Sequence, residues 1–368
     1  MKGESVETQE LNSRSQKFGK VILVSLFFEP NPSVSSKRTS FWAFYLAQFY
    51  QVNVITSSCL TTEISPYKGI NSQVEISEIP KVSSSLIWVI KVLFKILQKS
   101  VSNNYRAIIM SGGPFEIFLI SPILRALGFK TILDFRDPFA NNKRFQDNWL
   151  RNIGKRALER IFILSSSKII TVNNSLARKL NSKKKVSVIP NGFANYKNIT
   201  LGKVERNTFY TNGQIYCGTN ELWSSIKQVN PQAKMFYQGD KGLNFFPNSK
   251  DDVFFLPPMQ HQKVLEEASR FEIMILFGCN NNEVSYTKIY DFLFLKKKII
   301  VFNDAKAENS ELKNLLREYP LTLFLYPNEI DLNRLRKFLT LDNDTGVYNT
   351  SQFNRIHGGE AIKRILES

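Results

Sequence analysis

The chain has 368 residues, 43% of them hydrophobic, and a formal net charge of +17 from 49 Lys and Arg against 32 Asp and Glu. This length favours two domains with complete cores. The charge favours an anionic partner: nucleic acid, an anionic membrane or an anionic substrate. Only His261 and His357 are histidines, which argues against a multi-histidine metal site.

Residues 1 to 17 are polar and of mixed charge, which predicts a disordered leader rather than a signal peptide. No segment approaches the run of about 20 apolar residues that a spanning helix needs. The three cysteines, Cys59, Cys217 and Cys279, lie far apart without metal or disulfide spacing, which fits a reducing cytosol.

The first third of the chain reads as a strand, a helix and a strand. The segments are Lys20 to Leu26, Thr39 to Phe49 and Val52 to Thr56. This spacing predicts a βαβ unit and a parallel sheet, in which ligands bind beyond the C-terminal strand ends. Lys37 and Arg38, in the loop after the first strand, are candidates for binding a phosphate or an acidic acceptor. The alternative is that both are solvated loop charges.

A helix predicted from Leu86 to Val101 combines a broad apolar face with Lys91, Lys95 and Lys99 at every fourth position. A lysine row beside apolar residues suits the surface of an anionic membrane. The alternative is a helix packed on the sheet with a solvated lysine edge.

Further strands of the first domain are predicted at Tyr105 to Met110, Lys130 to Phe135, Lys168 to Val172 and Val186 to Ile189. Helices are predicted from Phe115 to Leu127 and from about Asn148 to Leu164. Arg136 and Asp137 follow the Lys130 to Phe135 strand, at an end where chemistry is expected. Asp134, at the edge of that strand, could instead be structural.

The second half repeats the alternation and predicts a second doubly wound domain. We expect the first domain at 18–194, a polar linker at 195–211, the second domain at 212–350 and a terminal helix within 351–368. The predicted elements of the second domain are strands at Gln214 to Tyr216, Met235 to Tyr237, Val253 to Leu256 and Glu272 to Phe277, and a helix at His261 to Ala268. His261, placed just before that helix, is interpreted as a cap or core residue.

The segment E-V-S-Y-T-K-I-Y-D, from Glu283 to Asp291, predicts a loop and a short helix before a buried strand. Ser285 could cap the helix, and its free N–H groups and positive dipole end would then form an anion site. Lys288 and Asp291, three residues apart, would share one face. A phosphate-binding cation beside a carboxylate for sugar hydroxyls suits a nucleotide-diphosphate sugar; the alternative is an ordinary surface Lys–Asp pair.

The ordered motifs F-F-E-P-N-P, S-G-G-P-F, D-F-R-D-P-F and V-I-P-N-G-F resemble those of the family 4 glycosyltransferases. The resemblance implies an α/β GT-B fold, with two doubly wound, Rossmann-like domains facing a central cleft. The first domain would bind the acceptor and the second the nucleotide sugar. Where the family has a glycine-rich loop, this chain has S-V-S-S-K. The corresponding acceptor or phosphate loop would contain Ser33, Ser35, Lys37 and Arg38.

The family's Glu-x7-Glu motif corresponds to Glu283 and Asp291, and K-I-Y-D-F-L matches a lysine-containing segment common within it. The resemblance implies that Lys288 binds the diphosphate, Asp291 the ribose and Glu283 the donor sugar. An Arg and Lys pair that some members carry after Gly218 is absent. The remaining donor contacts would come from Ser285, Thr287 and Gly218.

The resemblance further implies a retaining transfer with no obligatory metal and no cofactor besides the donor. We expect Asp137 near the acceptor hydroxyl, acting on a proton or simply pairing with Arg136. The charge and the lysine row suggest a lipid-linked or saccharide acceptor at the cytoplasmic face of the membrane, in capsule, O-antigen or exopolysaccharide synthesis. The alternatives are a GT-B nucleotide-sugar epimerase and a degenerate, non-catalytic binder. No nucleic-acid-binding signature is present.

Overall fold

The computed structural model describes most of the chain after residue 18. The described residues are 19–31, 33–58, 74–80, 84–101, 103–140, 142, 148–180, 182, 185–194, 199–213, 215, 218–239, 252–278, 285–303, 310–342 and 348–368. The predicted leader, residues 1 to 17, and Glu283 lie outside them.

The chain divides into two compact units, one formed by 1–191 with 355–368 and the other by 192–354. The predicted linker at 195–211 is wrong in its second half, because a strand begins at Glu205. That strand opens with the polar residues E-R-N-T, and only its middle is buried, so its composition resembles a linker.

The described strands of the first unit form a seven-stranded sheet in the order β3-β2-β1-β4-β5-β6-β7, and each neighbouring pair is parallel. The predicted parallel sheet is therefore confirmed for this unit. The strands are β1 Lys20–Val24, β2 Gln51–Ser57, β3 Val74–Ile79, β4 Tyr105–Ser111, β5 Thr131–Phe135, β6 Lys168–Thr171 and β7 Val186–Val188.

The helices of this unit include α1 Val34–Leu46, α2 Ser85–Val101, a 3-10 helix Phe115–Ile120, α3 Ser121–Ala126, α4 Trp149–Ser165 and α5 Asn174–Lys179. Helix α1 begins at Val34 rather than at Thr39, because Ser33 Oγ accepts a hydrogen bond from the backbone N–H of Ser36. Lys37 and Arg38 therefore lie on a helix, and their predicted place in a loop is wrong.

Alternate residues of β1 face two separate apolar cores. Ile22 and Val24 belong to a core covered by α2, the 3-10 helix, α3 and α4, whereas Val21 and Leu23 belong to a core on the opposite face. Both faces of the strand are buried, which explains its continuous run of β-branched and aliphatic residues.

The described strands of the second unit form a six-stranded parallel sheet in the order β10-β9-β8-β11-β12-β13. The predicted strand from Gln214 to Tyr216 falls mostly outside the described residues, and the first strand of this sheet ends at Asn212. The strands are β8 Glu205–Asn212, β9 Lys234–Gln238, β10 Val253–Leu256, β11 Phe271–Phe277, β12 Lys298–Phe302 and β13 Thr322–Leu325.

The helices of the second unit include α6 Asn220–Val229, α7 His261–Ala268, α8 Lys288–Phe294, α9 Glu311–Leu316 and α10 Leu332–Leu339. Helices α7, α8 and α9 cover the sheet face that carries Tyr210, and α6 and α10 cover the face that carries Phe209. The last helix, α11 Arg355–Glu367, belongs to the first unit, where Ile362 and Leu366 pack with Trp42 of α1.

Candidate functional site

The strand order of the second sheet reverses between β8 and β11, so the loops that follow these two strands leave the sheet in opposite directions. Such a switch point is where open parallel sheets bind ligands. Gly213, directly after β8, adopts φ 65°, a left-handed conformation that suits glycine, and its N–H donates to Gln238 O at 2.8 Å. The polar groups around this edge form the candidate donor site.

Helix α8 starts at Lys288, and its N-cap is Thr287, whose side chain makes no capping bond. The predicted cap at Ser285 is therefore wrong. The backbone N–H groups of Ile289 and Tyr290 donate to the carbonyls of Tyr286 and Thr287. Because the preceding turn uses these donors, the predicted anion site at the start of this short helix loses its main support.

Lys288 Nζ donates to the backbone carbonyl of Asn212 at 2.6 Å. The contact places the ammonium group at the C-terminal end of β8, beside the switch point. A cation at this edge has the right charge for a diphosphate, independently of any helix dipole.

Asp291 Oδ2 lies 3.0 Å from His261 Nε2, and both side chains are partly buried. His261 is the first residue of α7, so the pair connects α7 with α8 on one face of the sheet. The sequence predicts a cap or core role for His261 but not this partner, which lies 30 residues further along the chain.

Tyr210 and Gln238 form a buried polar relay under the same edge. Tyr210 Oη donates to Gln238 Oε1 at 2.6 Å, and Gln238 Nε2 donates to Pro257 O at 3.0 Å. Burial, with a further contribution from the charge of Asp291, raises the pKa of Tyr210 well above its ordinary value, so the phenol stays protonated. Neither residue was predicted from sequence; Gln238 ends β9, and Tyr210 lies within β8.

Three buried polar atoms in this region lack a hydrogen-bond partner in the described structure: Thr211 Oγ1, Asn212 Oδ1 and Thr219 Oγ1. Thr211 and Asn212 end β8, and Thr219 is the N-cap of α6, where its side chain makes no capping bond. Buried polar groups are rarely left unpaired in proteins. Their concentration here suits a polar ligand, and the exposed Gly218 adjoins them.

Glu221, in the first turn of α6, accepts a hydrogen bond from the backbone N–H of Asn328. Its carboxylate is thus engaged by the protein itself at the helix start. Of the other predicted donor contacts, Thr287 lies directly before α8 and Ser285 two residues earlier, and both are partly buried.

In the first unit, Arg38 is 4% exposed and forms a two-armed ion pair with the fully buried Asp134. Its Nη2 and Nε lie 3.1 and 3.3 Å from the two carboxylate oxygens, and its Nη1 donates to Ile189 O at 2.8 Å. The predicted role of Arg38 as a phosphate contact or a solvated charge is wrong, because its guanidinium group is used internally. Asp134 therefore has a structural role, which was the alternative interpretation of this residue.

Arg136 donates hydrogen bonds to the carbonyls of Gly112 and Ser35. Burial lowers its pKa, against the opposing charges of Asp134 and Asp137. These bonds tie the end of β5 to the turn after β4 and to the first turn of α1. Asp137 follows it at the same edge and is partly buried.

The rest of the predicted loop surrounds the start of α1. Ser33 is the N-cap, the Ser35 carbonyl accepts from Arg136, and Lys37 is partly buried on the helix. The structure therefore brings Ser35 and Arg136 together, whereas Arg38 belongs to the buried ion pair beneath them.

The predicted lysine row of α2 is broken by Lys99. Lys99 Nζ contacts Glu75 Oε1 at 2.6 Å and Asn53 Oδ1 at 3.1 Å, and its side chain is only 12% exposed. Its predicted membrane role is wrong for this reason. Lys91 is exposed and Lys95 is partly exposed. Within the ranges described above, no helix is long and apolar enough to span a bilayer, and no three His, Cys, Asp or Glu side chains form a metal-binding group.

Neither a protein-family model nor a curated protein matches this sequence. Solved structures are similar in fold. A glycosyltransferase from Rickettsia africae has a TM-score of 0.63 at 12% identity, over 96% of this chain and 98% of its own. A UDP-GlcNAc 2-epimerase from Methanocaldococcus jannaschii has a TM-score of 0.55 at 13% identity, over 95% and 99% of the two chains.

A UDP-glucosyltransferase from Polygonum tinctorium is also similar, with a TM-score of 0.51 at 11% identity over 95% of this chain and 98% of its own. Together with the two parallel sheets, these likenesses confirm the predicted α/β, two-unit GT-B fold. At such low identity they establish the fold and leave the reaction to be argued from the residues.

Proposed function

We propose that this protein is a glycosyltransferase that moves a sugar from a nucleotide-diphosphate sugar to an acceptor hydroxyl. The observation that carries the proposal is the contact between Lys288 and the Asn212 carbonyl at the switch point of the second sheet. Beside it, the unpaired polar atoms of Thr211, Asn212 and Thr219 would find partners in a ligand rich in oxygen atoms. A nucleotide diphosphate matches both the charge and the hydrogen-bonding capacity.

In this reaction the diphosphate gains negative charge as the glycosidic bond breaks. The ammonium group of Lys288 would stabilise that charge, and removing such a preorganised donor costs about 3 kcal/mol in the transition state. Asp291, held through Oδ2 by His261, has Oδ1 available to the ribose hydroxyls in our proposal. Glu283 keeps its proposed contact with the donor sugar.

The first unit would bind the acceptor. Asp137 follows the end of β5, and Arg136 ties this end to α1 through the Ser35 carbonyl. We assign Asp137 to the acceptor hydroxyl, and Arg136 to holding the surrounding backbone. Retention of configuration and independence from metal are further parts of the proposal, taken from the resemblance to family 4.

The proposed acceptor is lipid-linked or a saccharide, and the proposed location is the cytoplasmic face of the cell membrane in surface-polysaccharide synthesis. The strongly positive charge supports this choice, because polyprenyl phosphates and anionic lipids attract a basic protein.

An epimerase acting on the nucleotide sugar is the second candidate. The His261–Asp291 pair favours it, because a histidine paired with a carboxylate can move a proton. The fold is also that of a UDP-GlcNAc 2-epimerase.

The test is a thermal-shift screen across nucleotide sugars, since a ligand that binds only the folded state raises the melting temperature. The best donor is then incubated with wild type, Lys288→Met and the exposed neighbour control Lys296→Met. We expect nucleoside diphosphate release that falls about 100-fold in Lys288→Met, the loss that about 3 kcal/mol implies. The control should retain wild-type activity.

Other outcomes decide between the candidates. Conversion of the donor to an epimer without release of nucleoside diphosphate, followed by NMR, would identify the epimerase. Donor binding with no product from any acceptor tried would identify a non-catalytic binder. Unchanged activity and donor affinity in Lys288→Met would remove the proposed phosphate contact.

A further inference from the structure

Helix α2 turns two apolar faces in opposite directions. Its inward face, Trp88, Val89, Val92 and Ile96, is buried against the sheet. Its outward face also carries apolar residues at helical spacing: Ile87 is 47% exposed, Ile90 54%, Phe94 68% and Val101 86%. A helix whose only contact is the sheet would be polar on this outer face.

Helix α4 repeats this arrangement. Phe162 is buried against the same core as α2, and the outward face bears Leu150, Ile153, Ile161 and Leu164, which are 46% to 70% exposed. Trp149, the first residue of the helix, is 68% exposed. Two helices of one layer therefore share the same departure from ordinary surface composition.

The short segment between these helices joins the two apolar faces. The 3-10 helix contacts α2, and α3 contacts both the 3-10 helix and α4. Leu119, Ile123 and Leu127 of this segment are exposed. We use the name apolar layer for the outward-facing apolar residues of three segments: α2, Phe115 to Leu127, and α4. Scattered single apolar residues on a surface need no explanation, but a layer across three neighbouring elements does.

Basic residues accompany the apolar layer. Helix α2 contains three lysines, α3 one arginine and α4 four basic residues, against two acidic residues, Glu116 of the 3-10 helix and Glu159 of α4. Glu159 accepts from the backbone N–H of Ala140 and is partly buried. Lys91 and Arg160 are exposed next to the outward apolar residues.

The positive charge of these helices indicates which kind of partner binds the apolar layer. A second copy of the chain would bring two basic faces together, and like charges across an interface are unfavourable. An anionic bilayer offers both the opposite charge and an apolar interior for side chains such as Phe94 and Leu164. Interfacial helices have this composition of aliphatic and aromatic residues flanked by Lys and Arg.

We propose that the apolar layer is a docking surface for an anionic lipid bilayer, with α2 and α4 lying in the plane of the interface. The Trp149 indole lies at the level of the headgroups, where tryptophan is favoured. This inference deepens the proposed function by naming the surface that would bring the enzyme to a lipid-linked acceptor. The inference depends on the proposed function only for the reason that the protein binds a membrane, because lipid binding itself needs neither donor nor acceptor.

Trp149 is a built-in reporter of this docking. The chain has four tryptophans, and Trp42, Trp88 and Trp223 are each less than 5% exposed. Adding vesicles that contain roughly 30% phosphatidylglycerol in phosphatidylcholine should shift the tryptophan emission of the full chain to shorter wavelength and protect it from iodide. Trp149→Phe should remove the shift while leaving vesicle binding in place.

Variants separate the apolar and the charged contributions. Phe94→Gln with Leu164→Gln should reduce co-sedimentation with these vesicles at least tenfold, whereas Leu201→Gln, at a residue 65% exposed in the second unit, should leave it unchanged. Lys91→Gln with Arg160→Gln should lower binding roughly 25-fold, about fivefold for each charge. The matched control for charge is Lys234→Gln, at an exposed position of the second unit.

Several results would overturn the proposal. These are no binding to anionic vesicles, binding that leaves the Trp149 emission unchanged, and binding that survives Phe94→Gln with Leu164→Gln. A concentration-dependent emission shift without lipid, together with dimers in sedimentation, would assign the layer to a second copy of the chain. The donor assay with Lys288→Met is independent of lipid, so failure of docking and failure of the proposed activity are distinguishable.

Discussion

His261 Nε2 and Asp291 Oδ2 lie 3.0 Å apart, and this contact joins the first residue of α7 to the first turn of α8. One oxygen of the carboxylate is thereby held by the protein. An Asp side chain is one methylene shorter than a Glu side chain. The histidine therefore fixes the direction of a short side chain, which we regard as positioning rather than catalysis.

The first prediction concerns this pair. Asp291→Asn should weaken binding of the donor between 10-fold and 100-fold, since a hydrogen bond to a charged group contributes about 1.5–3 kcal/mol. His261→Ala should weaken it less, and His261→Gln, which can still donate to Asp291, should recover part of the loss. Calorimetric titration with the donor found in the thermal-shift screen measures all three. Asp252→Asn, at a half-exposed carboxylate that pairs with Lys227, is the control. Unchanged affinity in Asp291→Asn would contradict the ribose role.

The second prediction concerns Thr219, whose buried hydroxyl has no partner in the described structure. Thr219→Val should stabilise the ligand-free protein by about 1 kcal/mol, because it removes a polar group buried without a hydrogen bond. The same change should weaken donor binding, because the donor can no longer form a hydrogen bond with that hydroxyl.

Thr322→Val is the matched control. Thr322 Oγ1 is also buried without a partner, but Thr322 begins β13, at the N-terminal edge of the same sheet. The Thr322→Val variant should show a similar increase in the free energy of urea unfolding and keep wild-type donor affinity. Equal affinities in the two variants would place the ligand elsewhere.

The fold was predictable because most strands bury both faces and therefore appear as continuous apolar runs. Val253–Leu256 and His261–Ala268 have the predicted bounds. The strand β8 was missed because burial begins only after its polar first residues. The start of α1 was missed because Ser33, a good N-cap, was interpreted as part of a loop.

The candidate site was less predictable, because its geometry depends on partners distant in sequence. Arg38 looked like a free cation, but Asp134 lies 96 residues further along the chain. Lys99 likewise belongs to a row of lysines in the sequence, but in the structure it contacts Glu75 and Asn53. A local pattern reports the charge of a side chain but not what already neutralises it.

The third prediction concerns the buried ion pair. Arg38→Met should lower the free energy of unfolding by about 3–5 kcal/mol, because it leaves Asp134 charged and buried without its partner. Arg270→Met is the control: Arg270 pairs with Glu205 but is 46% exposed, and exposed pairs contribute about 0.2–1 kcal/mol. Urea unfolding followed by circular dichroism compares the two. A loss in Arg38→Met no larger than in Arg270→Met would show that the pair is not a structural element.

The last prediction concerns Lys297, which is 6% exposed and donates to Ser269 O at 2.6 Å. Burial lowers its pKa to about 8 from an ordinary value of 10.5, while Glu272 opposes the shift. Between these values the unfolded chain holds a proton that the folded chain has lost. Raising the pH through this window should therefore increase the free energy of unfolding, by up to about 3 kcal/mol from this group. Below about pH 8 both states are protonated, and the contribution to the slope disappears. Urea unfolding across the window should show a steeper rise for wild type and Lys296→Met than for Lys297→Met, and parallel slopes would contradict the lowered pKa.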